Sequence, residues 1–318
     1  MKKKLVALLL STVMAMSMTT TAFATDDTVG EVIDSTMQQD NTEDADGADS
    51  DSEEITAVLA LGADLTSQQK STVLDLLGIS ADEAADIDTI TVTNSEEHQY
   101  LDDYLDSSVI GTRSLSSVYV VKSDEGQGLD IETHNITYCT VSMYANALIT
   151  AGLEDAKVVV AGPCEISGTA ALIGTVKAYA EMNNSEVDEE ALETATEELV
   201  VTGELGDVLG NADDAASLMS SIKQYMAEND LHDEESIEAA VRQIAEENGY
   251  ELTDDEVDKI VSVLLKIDKL DISLDALKNQ ASAIFDKLGI TSETTKGIAG
   301  VISGFFSGIA NFFKNLFS

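Results

Sequence analysis

The stretch Lys157-Val158-Val159-Val160-Ala161-Gly162-Pro163-Cys164-Glu165-Ile166-Ser167-Gly168-Thr169-Ala170-Ala171 decides the reading of the fold. Three valines and an alanine, bounded by Gly162-Pro163, have the pattern of a short buried strand. Gly162 and Pro163 are expected to turn the chain, and Ser167, Gly168 and Thr169 to open a helix that runs to about residue 179. Strand, turn and helix in quick succession call for a sheet with helices packed on it.

Working towards the N-terminus, the same alternation recurs. Residues 55–61 read as a buried strand closed by Gly62. Thr66-Ser67-Gln68-Gln69 then fits a capping box for a helix ending near Gly78. Ile90 and Val92 alternate in a short strand, and 96–105 reads as a helix. Residues 118–121 and 129–137 read as two strands of a hairpin joined at Gly126-Gln127-Gly128. A helix over 140–150 stops at Ala151-Gly152. These elements predict a mixed-sheet α/β domain over residues 55–182.

Towards the C-terminus the period changes to 3.6. Ile237, Ala240, Val241, Ile244 and Ala245 share one helical face, and Asn248-Gly249 ends the run. Thr253 and Glu256 cap the next helix, which carries Val257, Ile260, Val261, Leu264 and Ile267. Residues 215–226 and 274–288 fit the same period. With one proline in 318 residues, a helical domain over 183–290 follows. The fold class expected is therefore α+β: a mixed-sheet α/β domain, a helical bundle, and an amphipathic C-terminal helix over 291–318.

The first 54 residues read differently. Lys2, Lys3 and Lys4 precede an apolar run too short for a comfortable membrane span. With the exit Ala22-Phe23-Ala24, they make residues 1–24 a secretory signal peptide. Residues 25–54 hold twelve acids and no lysine or arginine, the composition of a disordered acidic linker. The whole chain carries a formal charge of −43, and loss of the three leader lysines leaves 14 basic against 60 acidic residues, a net −46. So acidic a surface repels polyanions and excludes nucleic acid as a partner. The expected location is secreted or extracellular, with a protein or cell-envelope partner.

Several stretches carry a likeness to a known family. They are Gly62-Ala63-Asp64-Leu65-Thr66, Thr91-Val92-Thr93-Asn94, Ile110-Gly111-Thr112-Arg113-Ser114-Leu115-Ser116-Ser117 and Thr133-His134-Asn135-Ile136-Thr137. Asn146-Ala147-Leu148-Ile149-Thr150-Ala151-Gly152 and Ser167-Gly168-Thr169-Ala170-Ala171-Leu172 complete the series. In this order they resemble the YpuA-like proteins, secreted proteins of Gram-positive bacteria grouped as a domain of unknown function. The resemblance covers about residues 55–288 and implies export and one shared architecture. It implies no reaction.

Candidate chemistry is sparse. The helix start at Ser167, Gly168 and Thr169 offers free N–H groups and two hydroxyls to an anionic or polar ligand, or is simply a cap. It is no phosphate-binding loop, because no lysine follows the glycine and Glu165 sits beside it. Arg113, one of few basic residues, can position a carboxylate ligand or pair with a nearby acid. Alternation over 129–137 puts Asp130, Glu132 and His134 on one strand face, either a divalent-cation site or a solvated edge. No EF-hand loop and no nucleophile elbow occurs, so no cofactor is expected, a divalent cation apart. The reading favours a non-catalytic binding protein, with an extracellular hydrolase or metal-dependent enzyme as the alternative.

Cys139 and Cys164 can form one disulfide or stand apart as thiols. The tail is the least ordinary segment. Phe305, Phe306, Ile309, Phe312, Phe313, Leu316 and Phe317 recur at helical spacing, opposite Gly300, Gly304 and Gly308. Such a helix can dock on the bundle, lie in a membrane surface, or self-associate.

Overall fold

A computed structural model describes residues 55–270 and 272–287. The leader, the acidic linker and the amphipathic tail with its phenylalanines lie outside the described residues.

Five strands form one mixed sheet: β1 (Ala57–Gly62), β2 (Asp88–Val92), β3 (Ser117–Lys122), β4 (Leu129–Ile136) and β5 (Ala156–Ile166). Their order is β2-β1-β3-β5-β4. The central strand β3 runs antiparallel to β1 and β5, while β2 pairs parallel to β1 and β4 parallel to β5. The hairpin expected between 118–121 and 129–137 does not form, because β5 lies between them. The physical reason is burial. Val158, Val160 and Ala161 are fully buried and take an interior position, whereas β4 exposes Asp130 and Glu132 and suits an edge. The connection over 123–128 steps across β5, two strand spacings or about 10 Å.

The sheet is covered on both faces. Val58, Ala60, Val118, Val120, Val158 and Val160 point to one core; Leu59, Leu61, Val159 and Ala161 point to the other. The second face packs on α1 (Ser67–Leu77) through Val73, Leu74 and Leu77, and α1 carries the expected Thr66/Gln69 capping box. A single turn, α2 (Glu83–Asp86), then leads into β2. The first face packs on α5 (Val141–Thr150) and α6 (Thr169–Met182), with α3 (Asn94–Leu101) and the single turn α4 (Ser107–Ile110) at one end. Gly174 lets α6 approach closely, since a Cβ there would lie 3.0 Å from the Cβ of Ala60.

Helices α7 (Glu189–Leu209), α8 (Ala212–Asn229), α9 (Glu234–Glu247), α10 (Asp254–Ile267) and α11 (Leu274–Lys287) follow. The α9 and α10 faces expected from periodicity are buried as read, and Thr253 and Glu256 form their capping box. Helix α7 joins the two halves: Leu192, Ala195 and Leu199 enter the core under the sheet, and Leu205 enters the helical core.

β5 is longer than the sequence suggests. Instead of turning at Gly162-Pro163, the chain stays in the sheet to Ile166 by way of a bulge. His134 is opposite Ala161 and Ile136 opposite Ile166, so residues 162–165 face Asn135 alone. Asn135 takes a left-handed φ of 60° and donates from Nδ2 to the Gly162 carbonyl at 3.0 Å.

Candidate functional site

Because β3 opposes the other four strands, its N-terminal end meets the C-terminal ends of β1, β2, β4 and β5 along one edge. Open α/β sheets bind ligands along this edge. Five of the six stretches quoted above gather there. Asp64 and Ser114 exchange two bonds: Asp64 N donates to Ser114 O at 3.1 Å, and Ser114 N to Asp64 Oδ2 at 2.8 Å. Gly62 N donates to Ser117 Oγ at 3.1 Å, and Ala63 N to Val92 O at 2.8 Å. Thr137 N and Cys139 N reach Ile166 O and Ser167 O. Gly62 is required by contact: a Cβ would stand 2.5 Å from the Ser114 carbonyl oxygen.

A cleft of ≈ 270 Å³ opens at this edge between α4, the following loop and the start of α6, and Glu97, Ser108, Arg113, Ser116, Ser167 and Gly168 line it. Glu97 projects from α3 and is 2% exposed. Thr169 Oγ1 donates to its Oε1 at 2.8 Å and Asn94 Nδ2 to its Oε2 at 3.3 Å. Burial pushes its pKa above the ordinary carboxylate value, and the hydroxyl and amide donors counter that only in part. The adjacent His98 faces outward. Its Nδ1 meets Asp102 Oδ1 at 2.6 Å and its Nε2 the Gly111 carbonyl at 3.2 Å. The Asp102 hydrogen bond raises the His98 pKa, and the ring ties α3 to the loop that carries Arg113.

Arg113 is exposed and lines the cleft. It makes no ion pair with the described residues, whereas Arg242, the only other arginine in the chain, is held by Glu238 and Asp254 at 2.8 and 2.9 Å. Ser167 and Gly168 line the cleft as well. The helix start that the sequence offers to an anion, however, is partly served from within the chain. Thr169 is turned to Glu97, and Ala171 N donates to Ser116 Oγ at 3.0 Å. Gly168 has φ +100°, and its carbonyl accepts from the buried Tyr144 hydroxyl at 2.6 Å.

Asp130, Glu132 and His134 lie on the edge strand and do not line the cleft. Glu132 Oε1 and His134 Nε2 pair at 3.2 Å. Among the described residues no group of three or more His, Cys, Asp or Glu side chains is arranged to hold a metal ion. The backbone positions of residues two apart on one strand face are about 7 Å apart, so three in a row rarely close on one ion without a ligand from elsewhere. The two cysteines form no disulfide. Cys139 is buried beneath Gly168 and Cys164 is exposed on the β5 bulge. Burial pushes the Cys139 thiol up to about 12, which leaves it no thiolate for nucleophilic work.

Sequence reasoning missed Glu97. A cue was present: Thr93 and Glu96 make a capping box that fixes the first turn of α3 and thereby aims the next side chain inward. The sixth stretch, around Asn146 and Thr150, lies on α5 within a buried polar network described below. Among the described residues, no helix is long and apolar enough to cross a membrane.

Fold and cleft together define a class: a three-layer α/β protein of mixed sheet, extended by helices, with an open polar cleft at the carboxyl edge of its parallel strands. The chain belongs to the family described as "Protein of unknown function (DUF1002)", whose model matches residues 61–284. It is similar to the uncharacterized protein YpuA of Bacillus subtilis (strain 168), with 40% identity over 263 residues that cover 82% of this chain and 89% of that protein. No solved structure matches it.

Proposed function

We propose that this is an exported, non-catalytic binding protein whose sheet-edge cleft takes a small polar ligand. Its tail would hold it at the cell envelope. The observation that carries the reading is the Arg113 guanidinium. It lines the cleft without a carboxylate partner among the described residues, a position that a ligand anion can fill. A cavity of ≈ 270 Å³ is close to the lower end of the usual range of about 300–1,000 Å³, so the ligand is small.

Native mass spectrometry of the protein recovered from culture medium tests this. A mass excess that Arg113→Ala removes is expected. Unliganded protein that binds nothing from concentrated medium would count against the cleft. N-terminal sequencing of the same material is expected to begin at Thr25, and an intact Met1 would overturn export by a cleaved leader. For the tail, flotation with liposomes should fall on truncation after Thr295, because any hold rests on the aromatic face. Equal flotation would remove the membrane role.

A further inference from the structure

Charged side chains in this fold are satisfied almost everywhere burial demands it. Among the described residues three glutamates are buried. Glu198 pairs with Lys223 at 2.7 Å and Glu197 with Lys266 at 2.5 Å. Glu97 forms no ion pair among the described residues, and it is the one of the three that lines the cleft. A nearly fully buried glutamate without a cation is rare, because a carboxylate withdrawn from water loses more than two neutral donors restore. The same cleft is lined by Arg113, the one of the two arginines without a carboxylate among the described residues. Two groups of opposite sign, neither ion-paired among the described residues, thus share one small cavity.

We propose that the cleft binds a small zwitterion, an amino acid or dipeptide, with its carboxylate on Arg113 and its ammonium on Glu97. The proposal rests on the binding function above and gives that site its ligand class. Arg113 presents a planar fork that matches a carboxylate with two parallel bonds. Glu97 accepts from Thr169 and Asn94, with the Ser114 hydroxyl beside it, and its four lone-pair sites leave room for an ammonium donor. The ligand cation supplies what Lys223 and Lys266 supply to the other two buried glutamates. Ser108, Gly111, Ser167 and Gly168 also line the cleft and contribute no charge. A polymer is not suited to so small a cavity.

The test is calorimetric titration of the mature chain with a panel of free amino acids and dipeptides, each beside its N-acetyl and C-amide derivatives. At least one zwitterion is expected to bind, and blocking either terminus should weaken it about tenfold or more. Arg113→Ala should abolish the difference between free acid and amide. Glu97→Gln, which keeps the side-chain volume, should abolish the difference between free amine and N-acetyl derivative. A circular dichroism melt checks that both variants fold. If an N-acetyl derivative binds as tightly as its parent in an Arg113-dependent manner, the cleft stands as an anion site and the zwitterion assignment falls. If no probe binds, the assignment also falls, and the co-purified mass decides the broader reading separately.

Discussion

Lys223 Nζ lies 2.7 Å from Glu198 Oε1, with the two side chains 1% and 0% exposed. The pair is tied to the N-A-L-I-T stretch of α5: Lys223 also donates to Asn146 O and Thr150 Oγ1 at 3.2 Å, and Thr150 donates to Glu198. Asn146 in turn bonds the Ala216 carbonyl at 2.7 Å and receives Gln280 from α11. One network therefore fixes four helices, α5, α7, α8 and α11, against one another. Burial pulls the Lys223 pKa down, and Glu198 holds it up against that pull. Lys223→Ala leaves Glu198 buried and uncompensated, and is expected to cost about 3–5 kcal/mol in urea unfolding. Replacing both partners, Lys223→Met with Glu198→Leu, should recover more than half of that loss. Additive losses in the two single variants and the double would show that the pair is not coupled.

This network marks where the sequence stops being legible. Helices α9 and α10 could be read because their buried positions are large and apolar at a strict 3.6 spacing. Helix α7 buries Thr194, Thr196, Glu198, Thr202, Gly203 and Gly206, so its inward face looks like an outward one. Polar residues are inside because α7 lies between the sheet core and the helical core, with little room and with partners on both sides. The sheet was legible strand by strand and not in its order, since pairing depends on which edge each strand can tolerate. Arg113 and Ser167 could be named from composition and a helix start. Glu97 was harder: the Thr93/Glu96 capping box sets Glu96 apart, but the burial of Glu97 depends on Thr169, 72 residues further on.

At the sheet edge, Gly62 and the Ser114 carbonyl leave no room for a side chain. An alanine Cβ would fall 2.5 Å from that oxygen and 2.8 Å from Leu115 Cα, both backbone. Neither atom can move without breaking the Asp64–Ser114 exchange. Gly62→Ala is therefore expected to destabilise by about 1–3 kcal/mol, the usual cost of overpacking. It should also displace the loop that carries Arg113. A chemical denaturation curve superimposable on the parent would mean that the loop yields freely.

The two thiols should differ sharply in reactivity. Cys164 is exposed, whereas Cys139 is buried and its thiol is pushed up to about 12. A native titration with a thiol-specific chromogenic disulfide at pH 8 should count one fast thiol, and unfolding should release the second. Cys164→Ser should remove the fast phase entirely. Two thiols reacting at one rate would place Cys139 outside the core.

Glu97 predicts an inverted pH dependence. Its folded pKa is raised above the ordinary 4.5, mainly by burial, so between 4.5 and the raised value the folded state holds a proton that the unfolded chain has lost. The stabilisation is complete below 4.5 and disappears as pH rises through the folded pKa. Carboxylates with depressed values, such as Asp106, held down by Ser108, behave oppositely. His98, raised first by Asp102, contributes below 6.5 and loses its share above it. Cys139 and Tyr144 are pushed to high values by burial, with a smaller push from the Glu97 charge, and stay neutral throughout. Glu97→Gln leaves all of these in place and removes a single titration. The stability difference between the parent chain and this variant should therefore decline from about pH 4.5 and level off above the folded pKa. Unfolding by urea at half-unit pH intervals measures it, and a flat difference would mean that Glu97 ionises freely. A bound ammonium should move the decline to lower pH, because a cation on Glu97 favours the charged form.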